Sequence, residues 1–303
     1  MDNSEIILEN GHEKSGSINF LCSIDDRTFV SAGNGYDIVF WDIEGNIIRK
    51  IKGHRKWISS LAIINENTIA SGCKDGTLKI FGFQDDNFKM FTEHSGYITN
   101  INVIKPGIIV YCDQEPFGAG QIIIRNLSER NEIRSINPKC IVYCICVINE
   151  NIMVWGGSGR FLQLFNINET QWDKKYGKKL LGHKDIVSCI SKIDTEKVIS
   201  GSWDKTLRIW NINSGDTLHI LTGHKMAITQ VIEIKPLVFL SGCMIGDSYR
   251  LWKEEEDNFI SEPIIELGND GCDCLTKINN NILITSGNGS HKIKINKPEI
   301  IKI

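Results

Sequence analysis

Three residues of the types used in nucleophilic catalysis lie close together in the second half of the sequence. His183, Ser200 and Asp204 could supply the base, the nucleophile and the orienting carboxylate of a serine hydrolase. Trp210 follows the serine after ten residues. If the fold brought these side chains into contact at an open site, acyl transfer is the chemistry that they would support. Whether they do so depends on the elements that position them.

The same spacing occurs a second time in the chain. His54, Ser71 and Asp75 repeat the intervals of 17 and 4 residues. Phe81 stands ten residues after the serine, where the other set has its tryptophan. An active site has no reason to be copied at a fixed period, whereas a structural motif that belongs to a repeat is copied with it. The recurrence favours a structural role, and we predict that the chain is not an enzyme.

The chain is built from seven units that follow one another at intervals of 40 to 45 residues. Each unit begins near a Gly-His pair or a degenerate form of one, and contains short runs in which apolar residues alternate with polar ones. Such alternation between turns rich in Asp, Asn, Gly and Ser is typical of β-strands. The units begin near residues 11, 53, 93, 137, 182, 223 and 268. We therefore predict one repeat-built, all-β domain over residues 1–303.

These units resemble the repeats of the WD-repeat β-propellers, which have four strands in each blade. The unit that matches best contains GHKDIVSC and, further on, GSWDKTLRIWN. The resemblance implies a seven-bladed propeller of four-stranded antiparallel blades, whose ring is closed by an N-terminal strand, at about residues 4–9, that pairs with the last blade. It also implies that the repeated polar residues form a structural network within a blade. The network residues are His54, Ser71, Asp75, His183, Ser200, Asp204 and Trp210.

The resemblance also indicates where a partner would bind. The binding surface of the family, its top face, consists of the loops before the first strand of each blade and the turns between the second and third strands. At these positions the sequence has aromatic residues, a methionine and cations, the types expected in a protein-binding patch. The predicted partner-binding residues are Trp57, Ser59, Lys74, Tyr97, Thr99, Tyr143, Arg160, Ser188, Trp203, Thr229, Met244 and Asp273.

Composition and charge limit the other functions. The 34 Lys and Arg residues against 37 Asp and Glu give a formal net charge of −3, so the whole surface would not attract nucleic acid or an anionic membrane. A local exception is the basic edge, which consists of Lys174, Lys175, Lys178, Lys179 and Lys184 beside Trp172. The ten cysteines include no CxxC pair, so we predict reduced thiols, no metal and no cofactor.

The main hypothesis is a non-enzymatic scaffold or adaptor, a monomeric propeller that binds peptide segments of other proteins within a larger complex. No apolar run approaches the ~18 residues of a membrane span, so we expect the cytoplasm or the nucleus. The basic edge leaves open a ribosome- or RNA–protein-associated scaffold. In length and in its GHKDIVSC stretch the chain is also similar to the receptor-for-activated-C-kinase scaffolds of the ribosome, although the turn at residues 31–35 lacks basic residues. Short turns such as Asn65–Asn67 keep a ubiquitin-pathway recognition propeller as a further alternative.

Overall fold

The structure, a computed structural model, consists of β-strands joined by turns. It describes residues 6–8, 11–12, 17–83, 88–92, 96–115, 118, 120–129, 132–167, 177–245, 249–255, 258–264, 271–279, 282–287 and 292–296. No residue in these ranges is helical. Accordingly, this part of the chain offers no candidate for a membrane-spanning helix.

The strands form seven antiparallel sheets of four strands each. Every sheet is one blade, and six of the seven blades use four strands that are consecutive in the chain. The prediction of a seven-bladed β-propeller is thereby confirmed. The chain divides into two compact units, the first formed by Met1–Asn137 with Cys272–Ile303 and the second by Pro138–Gly271.

The first unit contains blades one, two, three and seven. Blade one consists of β2 (Ile18–Ser23), β3 (Thr28–Gly33), β4 (Asp37–Asp42) and β5 (Ile47–Lys52). Blade two consists of β6 (Ile58–Asn65), β7 (Thr68–Cys73), β8 (Leu78–Gly82) and β9 (Phe88–Phe91). Blade three consists of β10 (Tyr97–Lys105), β11 (Ile108–Gln114), β12 (Gln121–Asn126) and β13 (Glu132–Ile136). Blade seven combines β26 (Cys274–Asn279), β27 (Ile282–Ser286) and β28 (Ile293–Asn296) with the N-terminal β1 (Ile6–Leu8).

The N-terminal strand completes the last blade, as predicted. Ile6 pairs with Ile295 and Leu8 with Ile293, in antiparallel register. Leu8 is buried in the apolar cluster between blades seven and one. The pairing covers the outer edge of β28, which would otherwise present unpaired backbone groups. Residues 4, 5 and 9 of the predicted strand lie outside the described residues.

The second unit contains blades four, five and six. Blade four consists of β14 (Val142–Asn149), β15 (Ile152–Gly157), β16 (Phe161–Asn166) and β17 (Lys179–Leu181). Blade five consists of β18 (Val187–Lys192), β19 (Lys197–Ser202), β20 (Leu207–Asn211) and β21 (Thr217–Leu221). Blade six consists of β22 (Ile228–Lys235), β23 (Val238–Cys243), β24 (Tyr249–Glu255) and β25 (Asn258–Ile264).

Within each unit the core lies between neighbouring blades. Apolar side chains of facing sheets form one cluster at each of these junctions, as between blades one and two and between blades five and six. The approach is close: a Cβ at Gly72 in β7 would lie 2.6 Å from the carbonyl oxygen of Ile98 in blade three. All ten cysteines are free, and eight of them are buried. The packing fixes the loops and turns at the strand ends, where the candidate sites lie.

Candidate functional site

Blade five contains a continuous hydrogen-bond network. His183, in the loop before β18, contacts Asp204 Oδ2 through Nδ1 at 2.9 Å and Ser200 Oγ through Nε2 at 2.8 Å. Trp210 Nε1 donates to the same hydroxyl at 2.8 Å. These bonds join the loop, strands β19 and β20 and the turn between them, because each of the four residues lies on a different one of these elements.

The geometry of this set does not suit a nucleophile. Ser200 is 0% exposed, and its hydroxyl is engaged by both an imidazole and an indole. Burial by itself would raise the pKa of Asp204, but hydrogen bonds from His183 and Thr206 lower it well below its ordinary range. The carboxylate therefore remains ionised and holds the turn, while a substrate has no access to the serine.

Blade two has a related network with a different connection to its aspartate. His54 Nε2 lies 2.7 Å from Ser71 Oγ, and His54 Nδ1 lies 2.9 Å from Thr77 Oγ1. The threonine hydroxyl in turn donates to Asp75 Oδ1 at 2.5 Å. The Phe81 ring packs edge-on against the imidazole of His54, with 6.4 Å between the ring centres, but it has no N–H to donate. Compared with blade five, the serine of this network thus lacks an indole donor, and a threonine hydroxyl lies between the histidine and the carboxylate.

Two further networks, in blades one and six, were not predicted from the sequence. Both have a serine hydroxyl between an imidazole Nε2 and an indole N–H, at distances of 2.6 to 2.8 Å. The signal was the Gly-His pair followed by Ser and Trp at nearly the same spacing as in blade five. It was missed because neither blade has an aspartate at the matching position of the turn, where Gly35 and Ile245 stand. The residues are His12, Ser31 and Trp41 in blade one and His224, Ser241 and Trp252 in blade six.

Blade three replaces the network by a buried arginine. Arg125 in β12 occupies the position of the aromatic residue of other blades and is 1% exposed. Its Nε donates to the Tyr111 hydroxyl at 2.9 Å, and its guanidinium lies 4.9 Å from the centre of the Phe91 ring. The sequence shows the arginine but not these partners, because Tyr111 lies on β11 of the same blade and Phe91 on β9 of blade two.

The burial of His12 in blade one gives a pH-dependent stability. Burial and, to a lesser degree, the charge of Lys50 lower the pKa of His12 to about 4. Within the described residues, its buried Nδ1 has no hydrogen-bond partner. The unfolded chain takes up the proton near pH 6.5, but the folded chain does so only near pH 4, so stability falls as the pH falls between these values.

We expect this histidine to cost about 3 kcal/mol of unfolding free energy between pH 6.5 and 4. His12→Gln retains a polar side chain but does not titrate in this range. Urea unfolding of both proteins at several pH values measures the difference, because the other groups contribute equally to each. If the free energy of unfolding changed with pH by the same amount in the two proteins, the prediction would be contradicted.

A cation–aromatic cluster lies at the top face of the first unit. Trp57, in the loop before β6, is 44% exposed. Lys74, in the turn after β7, places its ammonium 4.5 Å from the centre of the Trp57 ring and 5.7 Å from that of Tyr97. The Lys74 N–H also donates to the Trp57 carbonyl at 3.0 Å. The structure thus brings together three of the predicted binding residues from two blades.

The second unit has an aromatic and apolar group at the corresponding positions. The rings of Tyr143 and Trp203 lie 6.1 Å apart, and Tyr143 is exposed. Met244 is exposed in the equivalent turn of blade six, and Ile245 beside it is 56% exposed although the sequence analysis did not select it. Arg160 is also exposed, in the turn after β15.

Three of the small polar residues predicted for the same surface, Ser59, Ser188 and Thr229, donate their hydroxyl groups to the protein itself. Ser59 Oγ donates to the Ile98 carbonyl of the next blade at 2.6 Å. Ser188 Oγ likewise donates to the Ile228 carbonyl of its next blade at 2.6 Å. The other contacts are Thr229 Oγ1 to the Gly242 carbonyl, Asn100 Nδ2 to Thr99 Oγ1, and the Asp273 N–H to the Ser286 carbonyl. The hydroxyls of Ser59, Ser188 and Thr229 thus bond to carbonyls of a neighbouring strand or blade, whereas the rings of Trp57 and Tyr143 are exposed.

The basic edge is divided among different partners. Lys178 donates to the backbone carbonyls of Asn213 and Ser214. Lys179 lies over the Phe161 ring at 4.1 Å, and Lys184 is exposed. Lys174, Lys175 and Trp172 lie outside the described residues. The described lysines therefore do not converge on one point.

Comparison with known proteins agrees with the architecture. Residues 45–82 and 174–211 match the family model "WD domain, G-beta repeat". The chain is 25% identical over 211 residues to the "WD repeat-containing protein pop2" of Schizosaccharomyces pombe, which covers 68% of this chain and 28% of that protein. It is also 24% identical over 207 residues to the "Ribosome biogenesis protein WDR12 homolog" of Arabidopsis thaliana. That match covers 63% of this chain and 43% of the relative. The chain thus spans less than half the length of either relative. Two segments of the chain thus match this repeat, and the described residues form the seven four-stranded blades of a β-propeller.

Proposed function

We propose that this propeller is a non-enzymatic scaffold or adaptor that binds peptide segments of partner proteins through its top face. WD-repeat propellers are typical protein-interaction scaffolds, which supports the general class. The observation that carries the specific proposal is the cluster of Trp57, Lys74 and Tyr97 in the first unit. A half-exposed tryptophan that is held in place by a neighbouring cation is a rigid, amphipathic anchor of the kind that dominates binding energy.

The cluster also indicates the chemistry of the bound segment. The faces of the aromatic rings favour an apolar or aromatic side chain, because covering Trp57 removes its apolar surface from water. The ammonium of Lys74 lies between the two rings and can pair with a carboxylate of the partner. We therefore propose a segment in which an apolar residue lies next to an acidic one.

The proposal is tested by replacing the aromatic residues of each unit separately. We expect Trp57→Ala/Tyr97→Ala to weaken partner binding by about 2 kcal/mol or more, about 30-fold in Kd. Affinity purification with quantitative mass spectrometry identifies the bound proteins, and titration of the purified partner gives the Kd. Tyr143→Ala/Trp203→Ala tests the second unit in the same way.

Ile48→Ala is the matched control. Ile48 is 57% exposed but lies on the outer strand β5, away from the loops of the top face. The Ile48→Ala substitution removes an exposed apolar side chain without touching the predicted binding surface. Circular dichroism of each variant confirms that it is folded. Partners retained in full by both double variants would contradict binding through the aromatic residues.

A ribosome- or RNA–protein-associated scaffold is the second candidate. One relative carries ribosome biogenesis in its name, and the basic edge supplies exposed cations such as Lys184. Binding by counterion release weakens steeply with salt, whereas binding by aromatic anchors does not. Measuring partner affinity between low and physiological salt, with Lys184→Ala beside the aromatic variants, distinguishes the two modes. Either role is compatible with the cytoplasm or the nucleus, which fluorescence microscopy of the tagged protein would decide.

A further inference from the structure

The turn after β7 in blade two brings together three side chains of the types that bind transition metals. The ligand atoms of His54, Cys73 and Asp75 all lie within 4.8 Å of one another. His54 and Cys73 are buried, and Asp75 is half-buried at the edge of the turn. Sequence spacing alone did not reveal the group, because the histidine lies on the loop before β6, 19 residues before the cysteine.

We propose that these three residues form a zinc site. One imidazole nitrogen, one thiolate and one carboxylate are a donor set that zinc prefers, whereas calcium and magnesium require mainly oxygen ligands. The donor atoms of a tetrahedral zinc site are about 3.3 to 3.8 Å apart, and rotation of the side chains would bring the three ligand atoms, which lie within 4.8 Å of one another, to these separations. A water molecule would complete the coordination on the half-exposed side of Asp75.

The hydrogen bonds around the cluster suit this role. Ser71 Oγ lies 2.7 Å from His54 Nε2 and can accept its proton, which leaves the lone pair of Nδ1 for the cation. In blades one, five and six the equivalent serine receives an indole N–H, but Phe81 has none to give. Zinc would displace the contact between His54 and Thr77.

Two other blades show why the combination is specific to this turn. Blade five has Ser202 at the position of Cys73, and so lacks the thiolate. Blade six has Cys243 at that position but Ile245 where blade two has its aspartate. Of these three turns, only that of blade two supplies the histidine, the cysteine and the aspartate together.

The site would also act on the neighbouring surface. Lys74 lies between Cys73 and Asp75 in the chain, and its side chain contacts Trp57 and Tyr97. A cation that joins the turn to the loop before β6 would fix the backbone on both sides of this lysine. The zinc site stands on its own geometry and does not depend on the identity of any partner.

Cobalt and zinc titrations of the full chain test the proposal. We expect one Co²⁺ per chain to give a thiolate-to-cobalt charge-transfer band and the visible bands of tetrahedral coordination, and Zn²⁺ to displace it. Cys73→Ser should weaken binding by more than about 100-fold, since even partners outside the coordination shell typically account for 10- to 100-fold. It should also abolish the rise in melting temperature that zinc gives to the wild type. This variant copies the residue of blade five, so we expect it to fold.

Cys243→Ser is the matched control, because it removes a buried thiol at the same position of a blade without the aspartate. It should leave the cobalt spectrum unchanged. Absence of the thiolate band in the folded wild type would overturn the proposal, as would a band that persists in Cys73→Ser. Loss of partner binding in Trp57→Ala/Tyr97→Ala with an intact cobalt spectrum would show that the two sites are separate.

Discussion

Ser200→Ala is expected to lower the free energy of unfolding by about 3 to 4 kcal/mol, although it removes a single oxygen atom. The substitution leaves two buried groups without their partner, His183 Nε2 and the Trp210 indole N–H. Each unsatisfied buried polar group costs about 1 to 3 kcal/mol. Alanine fits the space of serine, so the loss reports the hydrogen bonds and not a change of packing. Urea unfolding followed by circular dichroism measures it.

Blade two supplies an internal comparison for this prediction. Ser71→Ala removes the contact to His54 alone, because Phe81 has no N–H, and should cost about 1 to 2 kcal/mol. The measurement requires a chelator, so that metal binding does not contribute. Equal losses for the two serines would mean that the indole contributes nothing to the network. Enzymatic turnover that disappeared in folded Ser200→Ala would instead restore the hydrolase hypothesis.

Arg125→Ala is expected to destabilise the protein by about 3 to 5 kcal/mol. The side chain is fully buried in blade three, and its loss leaves a cavity and deprives the Tyr111 hydroxyl of a donor. It also removes the cation–π contact with Phe91. An ordinary surface arginine contributes far less, so the effect would establish that this arginine serves as a core residue. Chemical unfolding at neutral pH gives the value.

A double-mutant cycle separates the hydrogen bond from the packing. Tyr111→Phe should cost about 2 kcal/mol, and the double variant Arg125→Ala/Tyr111→Phe less than the sum of the two by about 1 kcal/mol or more. Arg27→Ala is the control, because Arg27 is exposed and pairs with Glu44 only at 3.9 Å. It should change stability by less than about 0.5 kcal/mol. Additive losses would mean that the guanidinium and the phenol are not coupled.

The networks show how far a repeat can be interpreted from its spacing. The histidine, serine and tryptophan of blade five recur in blades one and six because they occupy the same positions on the loop and strands of those units. The aspartate is less regular, since it lies in a turn. In blade two the contact to the carboxylate passes through Thr77, a residue that the spacing did not select. A turn of the same length can thus connect the same residue types in different ways.

For the proposed binding surface, the sequence predicted which positions lie at strand ends but not which of their side chains face solvent. Loop and turn positions predicted which aromatic residues could be exposed, and Trp57 and Tyr143 are. The same rule selected Ser59 and Ser188, whose hydroxyls instead bond to the next blade. Whether a side chain at a strand end faces solvent or the neighbouring sheet depends on the packing of two blades. Periodicity within one blade contains no information about that packing.

The four-stranded blades and the pairing of the N-terminal strand with the last blade were implied by the resemblance to WD-repeat propellers, whereas the sequence by itself determined the all-β class and the seven units. It could do so because alternation and turn residues act locally and the repeat multiplies their signal. Only the tertiary structure decided which polar groups meet: Arg125 with Tyr111, Lys74 with Trp57, and His54 with Cys73. These partners come from different strands and loops, and their distances follow from how the sheets pack, which no local pattern specifies.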